Sequence, residues 1–505
     1  MKNINKKIPI NISLVANIIS VFVSIFVSFV ITKYIIVNLG KESYSFYPTA
    51  VNFSNYFTSI FLLVSSFSSR YVIKPYIQGN KEEANSYFST IFLSDLLLSI
   101  LICVVEYFFY INIDHILDIP VVLVNEVKNL FLLVFISSVI KGMFGVFSIV
   151  YYVKNRMDIK AYETIITNVF KCIILFLALL MNKLTIVFYG VTLLTITILE
   201  ISFDCLSYLI YMRDVEINIE YFSFDKLKTI FNNGVWQLIS QSGALLITNV
   251  HLIVSNMFLG ISSSSVLSLA QPFFALCSTL IVAFSQFIDP MITKNIIDYK
   301  EDSESNIINL YFLYEICTII PLIVIMTFSN HFFTIWMPSE SSSMLYILTL
   351  LTCLDTFIGA ISIVYISILS TFFKIKEMAI MKLLTGILNI FLTFVFLKYT
   401  NLDNVGIVLS SIIVDIIYNI IYIPLYSKKI LYINKRKVEI NTIYNVSLYS
   451  LIILIDLLIS ILLNINDIIF FILICGIVLF IDYCILFLAK KKKISYFIKF
   501  IRGTI

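Results

Sequence analysis

The chain consists of long apolar runs separated by short polar segments. A membrane-spanning helix needs about 20 mostly apolar residues, and fourteen such runs can be counted, from 13–37 and 45–68 to 443–463 and 467–489. Each run is too long for a barrel strand, and helices satisfy the backbone of such segments within lipid. The pattern predicts an all-α polytopic membrane protein with about 14 transmembrane helices.

The polar break between the first two runs recurs about 220 residues later. The stretch "ITKYIIVNLGKESYSFYPTAVNF" is followed at that distance by "HLIVSNMFLGISSSSVLSLAQPF", and Gly40 then aligns with Gly260. Six helices separate the two copies, so both enter the membrane from the same side, as in parallel transporter repeats. We therefore predict two pseudo-repeated six-helix lobes followed by two C-terminal helices. The predicted segments are 1–212 (helices 1–6), 213–428 (helices 7–12) and 429–505 (helices 13 and 14 with a basic tail).

Composition supports a membrane location. Hydrophobic residues make up 60% of the chain and charged residues 13%, against about 45–50% and 25% in soluble domains. Most of the 35 Lys and Arg residues fall in the two tails and in alternate loops, which predicts that both termini are cytoplasmic. The net charge of +4 is then explained by topology, and we expect no nucleic-acid partner. No early cleavage site is apparent, so we expect no removable signal peptide.

Enzyme chemistry has little support in the sequence. The eight cysteines lie singly inside apolar runs, and only three histidines are present, so no metal site or cofactor is predicted. There is no phosphate-binding glycine loop and no GxSxG motif. The polar segments between the runs are too short to hold a catalytic domain. We predict that the protein is not an enzyme.

Several motifs, in order along nearly the whole chain, carry a family resemblance. They are "LGKESYSFYPTAVNF", Arg70, "KPYIQGNKEEAN", "GVWQLISQSG", "LIVSNMFLG" and "FTIWMP". Together they resemble the polysaccharide-flippase branch of the multidrug/oligosaccharidyl-lipid/polysaccharide (MOP) exporter superfamily. Each motif alone is degenerate, and their order and spacing carry the specificity.

The resemblance implies a function. A family member would be a flippase that moves an undecaprenyl-diphosphate-linked oligosaccharide repeat unit from the cytoplasmic to the outer leaflet of the bacterial inner (plasma) membrane. The product would be an O-antigen, a capsule or another exopolysaccharide. Implied partners are the lipid-linked oligosaccharide, membrane lipid, and the glycan polymerase and chain-length machinery. Two lobes would enclose a central cavity.

A polar stripe on the seventh predicted helix fits sugar binding. Gln237, Gln241 and His251 recur at helical spacing, which predicts a common face. Amides and imidazole can hydrogen-bond to sugar hydroxyls. Polar side chains in membrane helices also hydrogen-bond to neighbouring helices, and that structural interpretation remains an alternative for these residues.

Charged residues within the runs suggest further roles, because such residues usually face a cavity or a partner. Lys141 and Lys171 are candidates to bind the diphosphate. Glu200 and Asp204, one turn apart on one helix, are candidates to carry a coupling proton or Na⁺. Pairing of these lysines with Glu200 or Asp204 is the structural alternative, since buried cations seldom stay unpaired.

Two other classes of function stay open. A MATE-like cation-coupled antiporter for drugs or small molecules would share the fold, with a more apolar, acid-lined cavity. A scaffold for glycan machinery would not explain the charges within the membrane. Neighbouring glycosyltransferase genes would favour the flippase, and an isolated gene would favour drug export.

Overall fold

The structure is a computed structural model. It describes residues 10–298, 310–431 and 435–491, apart from residues 67, 155, 341, 373, 464 and 466. Within these residues the regular structure is entirely helical, and no strand occurs. The predicted all-α class is confirmed.

The described part of residues 10–298 contains twelve α-helices, several of them joined by short 3₁₀ segments. Their bounds are α1 Ile10–Leu39, α2 Lys41–Thr58, α3 Leu62–Ser65, α4 Ser68–Ile77, α5 Lys81–Ile116, α6 Val124–Met143, α7 Ile149–Val153, α8 Met157–Leu180, α9 Ile186–Tyr211, α10 Phe224–Thr248, α11 Val250–Leu259 and α12 Ile261–Asp298. The 3₁₀ segments are Ser59–Phe61, Val121–Leu123, Gly145–Ser148 and Ile219–Tyr221.

The second half continues the helical pattern with two π-helical segments, Glu315–Ile319 and Ile416–Tyr422. Its α-helices are α13 Ile320–Thr327, α14 Ser329–Trp336, α15 Ser343–Thr371, α16 Ile375–Tyr399, α17 Asp403–Asp415, α18 Ile423–Leu431, α19 Lys435–Leu462 and α20 Ile468–Ala489.

Twelve helices of the described chain are long and apolar enough to cross a membrane, and α10 with α11 forms a bent thirteenth candidate. The protein is therefore a multi-pass membrane protein. The difference from fourteen lies in the run 45–68. That run is helical, but it is divided into α2, a 3₁₀ segment and α3, and α2 carries many polar residues.

The chain divides into two compact units, Met1–Ser268 and Leu269–Ile505. Helices α10 and α11, at the start of the second predicted lobe, pack against α2, α3 and α5 and belong to the first unit. The lobes 1–212, 213–428 and 429–505 are defined by the repeat, and they stay a prediction.

The two glycines aligned by the repeat adopt the same backbone conformation. Gly40 has φ 83° and separates α1 from α2, while Gly260 has φ 82° and separates α11 from α12. Glycine is favoured at positive φ because it lacks a Cβ atom. The tight loops predicted from the sequence are present at both positions.

Two other glycines enclose the 3₁₀ break after α2. A Cβ atom on Gly142 of α6 would lie 2.0 Å from the Phe61 ring, and a Cβ atom on Gly234 of α10 would lie 2.0 Å from the carbonyl oxygen of Leu63. The segment around residues 59–65 therefore fits between α6 and α10 only because both positions lack side chains.

Candidate functional site

An ion pair joins α6 to α9 in the first unit. Nζ of Lys141 lies 2.8 Å from Oε2 of Glu200, and the exposed fractions of the two side chains are 65% and 26%. The structure thus brings two of the predicted site residues together, in the pairing that sequence analysis held as the alternative for Lys141.

A second, more buried group of charges lies between α8 and α9. Nζ of Lys160 is 2.6 Å from Oε1 of Glu163 and 3.3 Å from Oδ1 of Asp204. The hydroxyl of Tyr151 donates to Oε2 of Glu163 at 3.0 Å and lies 3.2 Å from Oγ of Ser207. Asp204, which was predicted as a site residue from the sequence, is therefore bound to Lys160, which was not predicted.

Lys141, Glu200, Lys160, Glu163 and Asp204 are named here the acid-lysine network. Its three carboxyl groups face two ammonium groups, so with every group ionised it carries one excess negative charge. Uncompensated charge is costly within a membrane. One bound proton or monovalent cation would neutralise the network.

Lys160 and Glu163 were not selected from the sequence. The charge pattern places Lys160 in a cytoplasmic loop, whereas the structure places it in the first turn of α8, which begins at Met157. The signal available was the Lys-Glu spacing of three residues, which puts both side chains on one helix face. That spacing is common on solvated helices, so it does not distinguish a membrane site.

Lys171 of α8 has a different environment. Its Nζ lies 5.4 Å from the centroid of the Tyr189 ring, and the Tyr47 ring meets Tyr189 edge-on at 4.6 Å between centroids. Among the described residues Lys171 forms no ion pair, whereas Lys128 is bound to Asp114 at 2.9 Å. Lys171 thus contacts an aromatic ring and no described carboxylate.

Gln237 and Gln241 lie on α10, and both are partly exposed. His251 lies on α11, after a 43° bend between the two helices. The His251 side chain is buried, and its Nε2 atom has no hydrogen-bond partner in the part of the chain that the structure describes. The common face predicted for the three residues stays a prediction, because the spacing rule holds along a straight helix and the axis bends between Thr248 and Val250.

A connection between the ends of α5 and α11 also lies within the first unit. Oδ1 of Asn256 accepts a hydrogen bond from the backbone N–H of Asp118 at 2.8 Å. Oδ2 of Asp118 accepts the N–H of Ile261, the first residue of α12, at 3.1 Å. Asp118 thereby caps a helix that is remote in sequence, since the first N–H groups of a helix lack partners within it.

The second unit contains a related ion pair. Nζ of Lys382 on α16 lies 2.9 Å from Oδ1 of Asp415 on α17, and it faces the Tyr418 ring at 4.5 Å. In the order of the spans, α16 and α17 are the fifth and sixth helices of the second predicted lobe, as α8 and α9 are of the first. Both predicted lobes therefore hold a Lys-Asp pair between corresponding helices.

The described residues contain no group of three or more His, Cys, Asp or Glu side chains arranged to hold a metal ion. The groups available for ligand chemistry are lysine ammonium groups, carboxylates, amides and tyrosine rings. These groups can bind phosphate, protons and hydroxyl groups.

The fold is similar to that of solved transporter structures. The chain matches the lipid II flippase MurJ in an inward closed conformation with a TM-score of 0.64 and 19% identity, covering 95% of this chain and 99% of that one. An inward-facing MATE-family multidrug resistance transporter of the MOP superfamily matches with a TM-score of 0.62 and 14% identity, over 80% and 94% of the chains. The chain has the MOP-type fold.

In sequence, the chain is similar to a protein of Bacillus subtilis (strain 168), the uncharacterized membrane protein EpsK. The two are 25% identical over 413 residues, which cover 79% of each chain. No family model matches the chain.

Proposed function

We propose that the protein is a flippase for a lipid-linked oligosaccharide. It would move an undecaprenyl-diphosphate-linked glycan repeat unit from the cytoplasmic to the outer leaflet. The observation that carries this proposal is Lys171, a lysine within a membrane span that no described carboxylate neutralises. A diphosphate supplies the negative charge that this position lacks. The MOP-type fold supports the proposal, because MurJ, which shares that fold, is a lipid II flippase.

Lys171 is proposed to bind the diphosphate, with Lys141 as a second cation. Moving unpaired charges out of water is very costly, so the head group needs cations where the membrane excludes water. Lys171 meets no carboxylate among the described residues. Lys141 is engaged by Glu200, and a proton on Glu200 would release its charge to the phosphate. Cargo binding and proton binding would then be linked.

Glu200 and Asp204 remain the proposed coupling residues, now as members of the acid-lysine network. An outward-moving anion gains about 2.3 kcal/mol per charge per 100 mV of inside-negative potential. Ion coupling is then needed less for moving the cargo outward than for returning the empty protein to its inward-facing state. The network's one excess negative charge supplies the place for a coupling proton or Na⁺.

Gln237 and Gln241 are proposed to contact the sugars, because an amide offers both donors and acceptors to hydroxyl groups. The same role has less support for His251, because its side chain is buried on α11.

The proposed setting is the bacterial inner (plasma) membrane, with both termini in the cytoplasm. Glycan polymerase and chain-length proteins are proposed as downstream partners, for an O-antigen, a capsule or another surface polysaccharide.

Transport of a lipid-linked oligosaccharide by reconstituted vesicles tests the function. Vesicles with the native chain should expose a fluorescent undecaprenyl-diphosphate oligosaccharide to an external glycan-cleaving enzyme faster than empty vesicles. Equal rates would refute the flippase. In cells, deletion of the gene should leave lipid-linked repeat units on the cytoplasmic leaflet.

The second candidate is a cation-coupled drug antiporter, which is favoured by the fold shared with MATE transporters. Drug export predicts that deletion raises sensitivity to cationic drugs while surface glycan stays normal. The flippase predicts the reverse result in the same two assays.

A further inference from the structure

One face of α19 makes three polar contacts within the second unit. Tyr449, Asp456 and Ser460 are all buried, as is Ile452 between them. Their spacing of three and four residues places them on one side of the helix. This face belongs to the two C-terminal spans that the sequence repeat leaves outside both predicted lobes.

The first contact, at Tyr449, includes an acid that is paired with a lysine. The carboxylate of Glu315 accepts hydrogen bonds from the ammonium of Lys490 and from the hydroxyl of Tyr449. Nζ of Lys490 also donates to Oδ1 of Asn445 at 2.8 Å. The exposed fractions of the Lys490 and Glu315 side chains are 3% and 0%. At this end of α19 a buried acid therefore has its cation.

At the third contact, near the other end of α19, Nε2 of His331 donates to the carbonyl oxygen of Ser460 at 2.9 Å. This contact involves no carboxylate. Both flanking contacts thus include a hydrogen-bond donor from the protein.

The middle contact is not satisfied in that way. Asp456 of α19 and Asp482 of α20 are each 0% exposed, and none of their four carboxylate oxygens has a hydrogen-bond partner within the described residues. The two carboxyl groups interact with each other. Two ionised carboxylates can only accept hydrogen bonds, so without an added donor they repel each other.

The described surroundings of the pair supply no cation. The other groups that interact with the pair are Thr327 of α13 and, on α20, Cys475 and Tyr483. The Thr327 hydroxyl already donates to the carbonyl oxygen of Ile323 at 2.9 Å, and the Tyr483 hydroxyl donates to the carbonyl oxygen of Ile316 at 3.0 Å. The missing donor has to come from outside this group of side chains.

We propose that Asp456 and Asp482 form a proton-binding site in the C-terminal helices, in which a bound proton makes the hydrogen bond between the two carboxyl groups. The protonated group donates and the other accepts, which removes the repulsion between neighbouring carboxylates. The bound proton also removes charge from a place where charge is costly. This site lies outside the acid-lysine network and does not depend on the identity of the cargo.

Infrared difference spectroscopy of the purified full-length protein tests the site directly. A protonated carboxyl group has a carbonyl stretch separate from that of a carboxylate, and the band shifts when H₂O is exchanged for D₂O. The native protein at neutral pH should show this band. The double variant Asp456→Asn with Asp482→Asn should lose the part of this band that the pair contributes, while each single variant should shift that part because the partner of the acid changes.

The matched control is Glu315→Gln, which removes an acid that already has a lysine and should leave the band unchanged. A second readout is the apparent melting temperature across pH, whose variation should be smaller in the double Asn variant than in the native protein. Native and double-variant spectra that are identical in the carboxylic-acid region would overturn the proposal. A melting temperature that responds to Na⁺ and not to pH would overturn it in favour of a cation.

Discussion

Lys141 and Glu200 form a 2.8 Å ion pair between α6 and α9, but only Lys141 is largely exposed, with 65% of its side chain accessible against 26% for Glu200. In the proposed function a phosphate would approach Lys141 from its accessible side, and a proton on Glu200 would release the ammonium.

Charge reversal separates the structural and the cargo-binding role of this pair. Lys141→Glu should place two carboxylates face to face and lower both protein abundance and glycan export. Combining Lys141→Glu with Glu200→Lys should restore abundance, because the ion pair is rebuilt, but not export, because the cation has moved to α9. Immunoblotting and surface-glycan staining provide the measurements. Full export by the exchanged pair would assign Lys141 a purely structural role.

Substitution of Lys171 should affect transport with little effect on stability. Lys171→Gln is expected to slow export at least tenfold, which corresponds to about 1.4 kcal/mol. Stability should change little, because the ammonium of Lys171 faces the Tyr189 ring and breaks no described ion pair when it is removed. Lys171→Arg keeps the charge and should retain part of the export. The rate is measured in vesicles loaded with the lipid-linked oligosaccharide.

The control for Lys171 is Lys128→Gln, which removes a lysine that is bound to Asp114. That variant should export at nearly the native rate. Equal reductions at both positions would show that export responds to a general decrease in positive charge and would contradict a specific role for Lys171.

Gln241 and His251 should respond differently, because the bend separates them. Gln241→Val is expected to reduce export without lowering the melting temperature, since the amide is partly exposed. His251→Ile should preserve export. It should also keep or increase stability, because an unsatisfied buried polar group costs about 1–3 kcal/mol. A loss of export in His251→Ile at normal abundance would support a role of His251 in sugar binding.

Asp118 should stabilise the connection between α5, α11 and α12. Asp118→Ala removes the acceptor for the Ile261 N–H, and loss of a helix cap costs about 0.5–2 kcal/mol. We expect a lower melting temperature in detergent. Asp114→Ala, one turn earlier on α5, is the control, because it breaks the ion pair with Lys128 and leaves the cap in place. An equal or larger fall in the control would argue against the cap.

Sequence alone predicts much of the fold, because hydrophobic run length and glycine position are local properties. The spans and the loops at Gly40 and Gly260 are predictable in this way. The break after α2 is not, since it depends on Gly142 and Gly234, which lie far away in the sequence.

The candidate site is only partly predictable for the same reason. Periodicity locates Lys141, Glu200 and Asp204 within spans, but it cannot show which lysine meets which acid. Lys160 is assigned to a loop because the exact start of a helix is not determined by composition. The bend after Thr248 likewise has no proline to mark it, so the burial of His251 cannot be foreseen.

The contact between Gly234 and Leu63 limits where a long hydrocarbon chain can enter the first unit. At this point α10 meets the backbone of α3 so closely that a single methyl group would collide with the Leu63 carbonyl oxygen. A hydrocarbon tail is wider than that gap. A lipid-linked molecule that moves sideways out of the bilayer must therefore pass between another pair of helices while this seam stays closed.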